Sequence, residues 1–252
     1  MKLCARLIFT VVLLLFHHAL FPQTVEKHIH NREQTWLGYF NQTRISNRFG
    51  FWLDVHYRQT DNFIDRPFQL LIRQALTYFI KDNIRVHVGY VLAEHFPAKG
   101  LSTIRPEHRG WQQIWWNQKY PGFSTLQWLR LEERFNKKIT NDVLSEETTL
   151  TFRLRYNLSF FIPLKGKEIV AKTPFVAVMD EVFLNFGGNV VYNTFDQNRF
   201  FAGVGYQFNK HLNAQLGYMK IFQQEATGNN YISSDVVRLF FFHNLDLRKS
   251  NE

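Results

Sequence analysis

Strict two-residue alternation over residues 148–160 is the feature that most limits how this chain folds. Leu150, Phe152, Leu154, Tyr156, Leu158 and Phe160 alternate there with polar residues without exception. Period two puts the apolar side chains on one face of an extended strand and the polar side chains on the other. Segments 49–58 and 84–92 repeat the pattern. The chain is therefore predicted to consist of amphipathic β-strands.

Eight further segments alternate less regularly, at residues 35–45, 68–80, 109–119, 125–135, 174–186, 199–208, 212–223 and 235–245. Most candidate strands have about eleven to thirteen residues, whereas strands of soluble proteins commonly have five or six. At about 3.3 Å per residue and a tilt near 40°, a twelve-residue strand rises roughly 30 Å, which is enough to cross an apolar layer about 25 Å thick. The strand length therefore favours a membrane-spanning sheet.

The links between these segments alternate between short and long. Short links at 46–47, 81–83, 120–122 and 209–210 are interleaved with longer ones at 60–67, 94–108, 136–147, 187–198 and 224–234, and 162–172 takes the place of a short turn. This alternation is typical of outer-membrane barrels, which commonly have an even number of strands. The predicted fold is all-β, an antiparallel up-and-down transmembrane β-barrel of about twelve strands, with ten as the alternative. The twelfth strand is expected at 25–33.

The N-terminus indicates export. Lys2 and Arg6 precede an apolar run at 7–16, which is too short to span a membrane as a helix and reads as a secretory signal peptide. The expected organisation is a signal peptide at 1–23 and a single barrel domain at 24–252, located in the outer membrane of a Gram-negative bacterium. Cys4, the only cysteine, lies in the signal, so the mature chain has no disulfide, thiol nucleophile or thiolate metal site.

Composition agrees with interleaved polar and apolar residues. Aromatic residues make up 17% of the chain, with 26 Phe, yet the mean hydropathy is only −0.27. The net charge of +9 is spread over many strands instead of forming a basic patch with aromatics, which argues against nucleic acid as a partner. Outer-membrane lipid and anionic lipopolysaccharide are the expected surroundings.

Several blocks resemble a bacterial family of unknown function, number 2490 in the domain-of-unknown-function series. They are Gln34-Thr35-Trp36, residues 107–113 (EHRGWQQ), residues 130–135 (RLEERF), residues 196–199 (DQNR), residues 203–208 (GVGYQF) and Leu216-Gly217-Tyr218. The resemblance extends over nearly the whole mature chain. It implies an outer-membrane barrel of uncharacterised role, and it carries over no catalytic residue.

The polar faces of the predicted strands collect charge. The candidate lumen cluster consists of Arg58, Arg73, Arg85, Arg130, Glu132, Arg134, Arg153, Arg155 and Glu181, with Asp54 as a further carboxylate. One interpretation is a network of ion pairs that fills a narrow interior, because buried charges must be paired. The other is a cationic lumen that selects an anionic solute or a glycan. Alternation places Arg130, Glu132 and Arg134 on one face, which predicts a clamp around Glu132.

Other constellations are weaker. Glu107 and His108 point to opposite faces of a strand, so they do not form an acid/base pair. His28, His30 and Glu33 are expected to be a solvated segment and not a metal site. Ser124 and Ser159 have no evident His partner in sequence. No catalytic residue, metal or cofactor is predicted.

Four tryptophans, Trp111, Trp115, Trp116 and Trp128, surround the turn at 120–122. They are predicted to form an interfacial aromatic girdle, with a sugar-stacking platform as the alternative.

Three functional hypotheses follow. The leading one is a non-enzymatic outer-membrane barrel, either a narrow porin-like pore or a structural barrel with an Arg-rich lumen. The second is a membrane-embedded enzyme that acts on lipid or lipopolysaccharide. The third is a soluble exported lipid-binding β protein, which long strands with wholly apolar faces disfavour.

Overall fold

The computed structural model describes residues 26–248, so the predicted signal peptide at 1–23 lies outside the described residues. Eleven strands form within this range. They are β1 (His28–Arg44), β2 (Phe49–Thr60), β3 (Arg66–Lys81), β4 (Ile84–His95), β5 (Arg105–Tyr120), β6 (Phe123–Thr140), β7 (Val143–Pro163), β8 (Thr173–Phe186), β9 (Phe195–Gln207), β10 (Leu212–Gln224) and β11 (Asn230–Asp246). Within residues 26–248, no helix is long and apolar enough to cross a membrane. The predicted all-β class is confirmed.

The strands form a closed barrel in chain order. Each strand pairs antiparallel with its sequence neighbour, and β1 closes the barrel by pairing parallel with β11. Eleven strands lie between the predicted counts of twelve and ten. Residues 28–33, where a separate first strand was expected, form the beginning of β1. A parallel closing pair removes the need for an even number, because the first and last strands then run in the same direction.

Parallel closure also places the two ends of the described chain at opposite rims. The amide of His28 donates to the carbonyl of Asn229, and the amide of Leu247 donates to the carbonyl of Arg44. We call the end where β1 begins the upper rim, with the links at 61–65, 96–104, 141–142, 187–194 and 225–229. The lower rim contains the links at 45–48, 82–83, 121–122, 164–172 and 208–211.

One expected long loop is instead a hairpin. The prediction of a loop at 136–147 was wrong, because β6 and β7 continue through this segment to a two-residue turn at Asn141 and Asp142. Both turn residues have positive φ angles, of 53° and 57°, as a tight type I′ hairpin requires. Asn and Asp tolerate that conformation better than most residues with a side chain.

Alternation in the strands separates the two faces of the barrel wall. Leu76 and Val88 point outward and are 73% and 61% exposed, whereas Arg153 and Arg155 point inward and are buried. The outward face carries exposed Leu, Ile, Val, Phe or Tyr side chains on every strand. The interior is therefore the polar and charged part of the molecule, and it is where a functional site is sought.

Candidate functional site

All nine candidate residues point into the barrel, but they do not form one cluster. Six belong to a connected ion-pair network on β5–β9: Arg130, Glu132, Arg134, Arg153, Arg155 and Glu181. Arg73 pairs with Asp54 on the neighbouring strand β2. Arg58 and Arg85 form no ion pair in the described part of the chain, and each stacks on a tryptophan instead.

Glu132 is the centre of the network, although its main partners differ from the prediction. Arg153 Nη2 lies 2.6 Å from Glu132 Oε2, and Arg155 Nη1 lies 2.5 Å from Glu132 Oε1. The expected partner Arg130 is 3.7 Å away, and Arg134 binds Glu107 instead. The reason is register: Glu132 pairs directly with Arg153 on β7, and directly opposed side chains lie closer than residues two apart on one strand. The clamp around Glu132 is therefore a cross-strand clamp.

Glu107 organises the upper part of the same network. Its Oε1 accepts from Arg109 Nε at 2.8 Å and from Arg134 Nε at 2.5 Å, and its Oε2 lies 2.9 Å from His95 Nε2. The Glu107 side chain is fully buried. His108 points outward to the Tyr90 hydroxyl, so Glu107 and His108 lie on opposite faces of β5.

A third carboxylate, Asp54 on β2, is surrounded by three donors. Arg73 Nη1 lies 3.1 Å and Trp52 Nε1 2.5 Å from its Oδ2, and His56 Nε2 lies 2.8 Å from Oδ1. Asp54 has no exposed surface. Like Glu107 and Glu132, it is fully enclosed by donors, as a buried carboxylate requires.

Three inward arginines lie where β2, β1, β11 and β9 line the interior, and they have no carboxylate partner among the described residues. Arg58 donates to Gln69 Oε1 at 2.7 Å, Arg199 to Gln197 Oε1 at 2.9 Å and Arg238 to Gln215 Oε1 at 3.1 Å. Each also lies over an aromatic ring. Neutral amides and rings compensate less of the desolvation of a cation than a carboxylate does. We call Arg58, Arg199 and Arg238 the seam arginines, because Arg238 and Arg58 lie at and beside the parallel β1–β11 pair and Arg199 reaches the Trp36 ring on β1 from β9.

The girdle prediction was wrong for three of the four tryptophans. Trp111, Trp115 and Trp128 point inward, and Trp111 is fully buried. They contact arginines: the guanidinium carbon of Arg130 lies 4.4 Å from the Trp111 ring centroid, and that of Arg85 lies 3.2 Å from Trp115. The indoles therefore support interior cations by cation–π contact instead of marking the membrane interface.

A cavity of about 1190 Å³ runs along the interior between the rims. Its lining extends from Arg32 and Arg105 near the upper rim to Lys119 and Lys167 near the lower rim. Eleven arginines line it, against the two glutamates Glu168 and Glu181: Arg32, Arg58, Arg73, Arg105, Arg109, Arg130, Arg134, Arg153, Arg155, Arg199 and Arg238. Asp54, Glu107 and Glu132 do not line the cavity. These three carboxylates lie in the wall, whereas guanidinium groups that bind them line the space.

Neither hydrolytic nor metal chemistry has an evident centre in residues 26–248. The Ser159 hydroxyl donates to Asn157, and the part of the chain that is described contains no serine–histidine hydrogen bond. Thr77 contacts His87, but the second ring nitrogen of His87 has no partner there. No group of three His, Cys, Asp or Glu side chains within this range is arranged to hold a metal ion.

One rim contact involves a titrating group outside the strands. Asp142, in the β6–β7 turn, accepts hydrogen bonds from the backbone amides of Ser102 and Thr103 and from the Ser102 hydroxyl. These donors, the Thr103 amide first, lower the pKa of Asp142 to about 2, because they stabilise the ionised carboxylate. The hairpin tip is thereby attached to the 96–104 loop.

The predicted lumen cluster left out several interior charges, among them Glu107, Arg109, Asp196, Arg199 and Arg238. Glu107 and Arg109 share their strand parity with the buried Trp111, so alternation was a usable signal. Asp196 gave no such signal, because a bulge beside Leu184 leaves Asp196 and its neighbour Gln197 both buried.

Comparison with known families gives one match. The model of the DUF2490 family, described as a protein of unknown function, matches residues 33–232. The chain belongs to the DUF2490 family. No curated protein and no solved structure matches it. Within this DUF2490 chain, the blocks that resemble the family contribute interior residues, including Trp36, Glu107, Arg130, Glu132 and Arg199.

Proposed function

We propose that this DUF2490 protein is an outer-membrane barrel whose cationic interior admits small anionic solutes. The observation that carries the proposal is the lining of the cavity, where eleven arginines face the space against two glutamates. A passage lined by one sign of charge concentrates ions of the opposite sign and favours their entry.

Membrane insertion is supported by the outer surface. Strands of 12 to 21 residues carry exposed apolar side chains along their outward faces. At about 3.3 Å per residue, such strands are long enough, when tilted, to cross an apolar layer about 25 Å thick. In water the same surface would form one large apolar patch, which soluble monomers avoid. This disfavours the soluble lipid-binding hypothesis, and the predicted signal peptide at 1–23 agrees with export.

Access of solutes to the arginines is supported by the hidden position of the carboxylates. Asp54, Glu107 and Glu132 are fully buried behind the guanidinium groups that bind them. An anion in the cavity therefore meets cations first and is separated from the negative charges by them. The enzyme hypothesis gains no comparable support, because residues 26–248 contain no paired serine and histidine.

Two measurements test the proposal together. The protein expressed in a Gram-negative host should fractionate with the outer membrane and show heat-modifiable migration in detergent gels. Proteoliposomes should then swell faster in gluconate than in glucose, and faster in glucose than in glucosamine, since these solutes are similar in size and differ in charge. Recovery as a soluble periplasmic monomer contradicts the membrane role, and faster entry of glucosamine than of gluconate contradicts the anionic preference.

A further inference from the structure

The parallel seam places two cations beside one indole. Trp36 on β1 pairs with Arg58 on β2 and with Arg238 on β11, and all three side chains point inward. Arg199 reaches the same ring from β9. The guanidinium carbons of Arg58 and Arg199 lie 3.5 and 4.9 Å from the Trp36 ring centroid. Three cations thus converge on one part of the cavity wall.

These cations keep donor capacity for a ligand. The Nε atoms of Arg58 and Arg238 have no hydrogen-bond partner in the described part of the chain but lie within the wall, whereas Arg199 donates through Nε alone and leaves both of its Nη groups without a described acceptor. Arg58, Arg199 and Arg238 all line the cavity. A buried guanidinium group with unused N–H groups and no carboxylate is costly unless an anion completes its shell. Carboxylate and phosphate oxygens have the geometry that guanidinium binds best.

The wall below the seam arginines is apolar. Arg238 lies 3.3 Å from the Phe201 ring centroid and 4.7 Å from that of Phe240. Towards the lower rim, Phe40 stacks on Phe242 at 4.7 Å between ring centroids, and both rings pack against the hydrophobic cluster that contains Phe175 on β8. All of these rings line the same cavity.

Glycines in the strands leave room for these rings to lie against the wall. Gly203 and Gly217 pair on β9 and β10, and a Cβ at Gly217 would lie 2.5 Å from the Gly203 Cα and 2.8 Å from the Phe201 ring. The Phe201 ring can therefore lie flat against the strands only because both positions lack a side chain. The result is an apolar surface that is continuous with the cationic one.

We propose that the seam site binds an amphipathic anion, with a carboxylate or phosphate head on Arg58, Arg199 and Arg238 and an acyl chain along Phe201, Phe240 and Phe242. The inference rests on the proposed function in that the cavity must be open to solutes. The cavity volume of about 1190 Å³ is sufficient, because pockets for drug-sized ligands hold roughly 300–1,000 Å³. Phenyl rings below the head site favour an acyl chain over a sugar, which needs polar partners for its hydroxyl groups.

The test measures binding to the full-length mature protein purified in a neutral glucoside detergent, by native mass spectrometry. The probes are dodecanoate and dodecyl phosphate, which carry the two heads on one chain, with dodecanol and inorganic phosphate as the neutral and tail-less comparisons. One molecule of either anionic probe should bind per barrel. Arg58→Gln, Arg199→Gln and Arg238→Gln should each weaken binding about tenfold, because each removes a charge-assisted hydrogen bond.

Arg85→Gln is the matched control. Arg85 also stacks on an indole without an ion pair, but it does not line the cavity, so its loss should leave binding unchanged. Each variant is first checked for heat-modifiable migration, which reports a closed barrel. Equal binding of dodecanol overturns the head site, equal binding of inorganic phosphate overturns the tail site, and the same loss in Arg85→Gln as in the seam variants overturns the assignment to the seam.

The outcomes also separate this inference from the proposed function. Selective entry of gluconate into proteoliposomes without binding of either acyl anion would overturn the seam site and leave the anionic preference intact. Stoichiometric binding by purified protein that is not found in the outer membrane would overturn the proposed function and leave the site intact.

Discussion

The paired side of the interior, around Glu132 on β6, and the seam side, around Trp36 on β1, contain arginines in different surroundings. On the paired side, Arg153 and Arg155 enclose Glu132 at 2.6 and 2.5 Å. On the seam side, Arg199 and Arg238 face amides and aromatic rings and pair with no described carboxylate. The difference lies in the neighbouring strands for Arg238, since Glu132 stands directly opposite Arg153 whereas Gly217 stands opposite Arg238. Arg199 does stand opposite a carboxylate, Glu181, but Arg155 binds that carboxylate at 2.6 Å.

This comparison separates structural from ligand-binding arginines. Where a buried cation is paired with a carboxylate, removing either partner destabilises the barrel, because the other charge is left buried and unpaired. A cation with unused donors contributes little to stability and remains available to an anion. Substitutions on either side of the interior test that separation.

Glu132→Gln should lower the free energy of unfolding by about 3–5 kcal/mol, because it leaves Arg153 and Arg155 without their central counter-charge. The measurement is a melting curve in detergent. Glu133→Gln is the matched control, since Glu133 is the next residue on β6 and points outward, where Gln112 is its hydrogen-bond partner. Conductance should survive in both variants. If Glu132→Gln melts at the same temperature as the parent protein, the ion pairs of the paired side do not stabilise the barrel.

Leu76→Arg should cost about 2–4 kcal/mol in a lipid bilayer, because it places a charge on the lipid-facing surface near the middle of a strand. Leu76 is 73% exposed on β3. Leu101→Arg, in the 96–104 link, is the control and should be tolerated. Equilibrium unfolding in vesicles measures both. A tolerated Leu76→Arg would show that the outward face does not contact lipid. The two sides of the interior would then belong to a barrel that does not span a membrane.

Arg199→Gln should change the free energy of unfolding by less than about 1 kcal/mol. Burying a cation that has no carboxylate partner costs about as much free energy as its remaining contacts contribute, so its removal changes little. The same melting assay as for Glu132→Gln applies. Anion entry into proteoliposomes should fall in this variant, unlike in Glu132→Gln. A loss of stability as large as that of Glu132→Gln would mean that the seam arginines are structural as well.

The smallest effect concerns the rim. Because the pKa of Asp142 is lowered to about 2 in the folded protein, its attachment to Ser102 and Thr103 should be fully present above the unfolded value of about 3.9 and lost as the pH falls through about 2. An NMR titration of the Asp142 carboxyl carbon should give a midpoint near 2. Asp142→Asn should speed amide exchange of Thr103 and leave both sides of the interior unchanged. A midpoint near 3.9 would show that the loop is not attached.

The alternation of residues predicted much of the fold. In β7, Arg153 and Arg155 are inside and Tyr156 is outside, as period two requires. Strand parity alone also indicated that Trp111 and Trp115 share a face with Arg109, although proximity to a turn led to the girdle prediction. The parallel β1–β11 pair left no signal in the sequence, because a strand pattern does not record the direction of its partner.

The ion-pair partners within the site could not be predicted from the sequence for the same reason. Alternation gave the face of Glu132 but not the identity of the residue across the ladder, which the register decides. Whether Arg238 has a carboxylate nearby depends on which strand closes the barrel. The bulge that buries Asp196 breaks the parity on which the prediction relied.

The most direct test of the account is the reversal potential of the protein in a planar bilayer under a KCl gradient. A cationic interior should give a potential of the sign that indicates chloride preference over potassium. The preference should be markedly reduced in the triple variant Arg58→Gln, Arg199→Gln, Arg238→Gln and unchanged in Arg85→Gln. A potassium preference in the parent, or the same chloride preference in the triple variant, would contradict it.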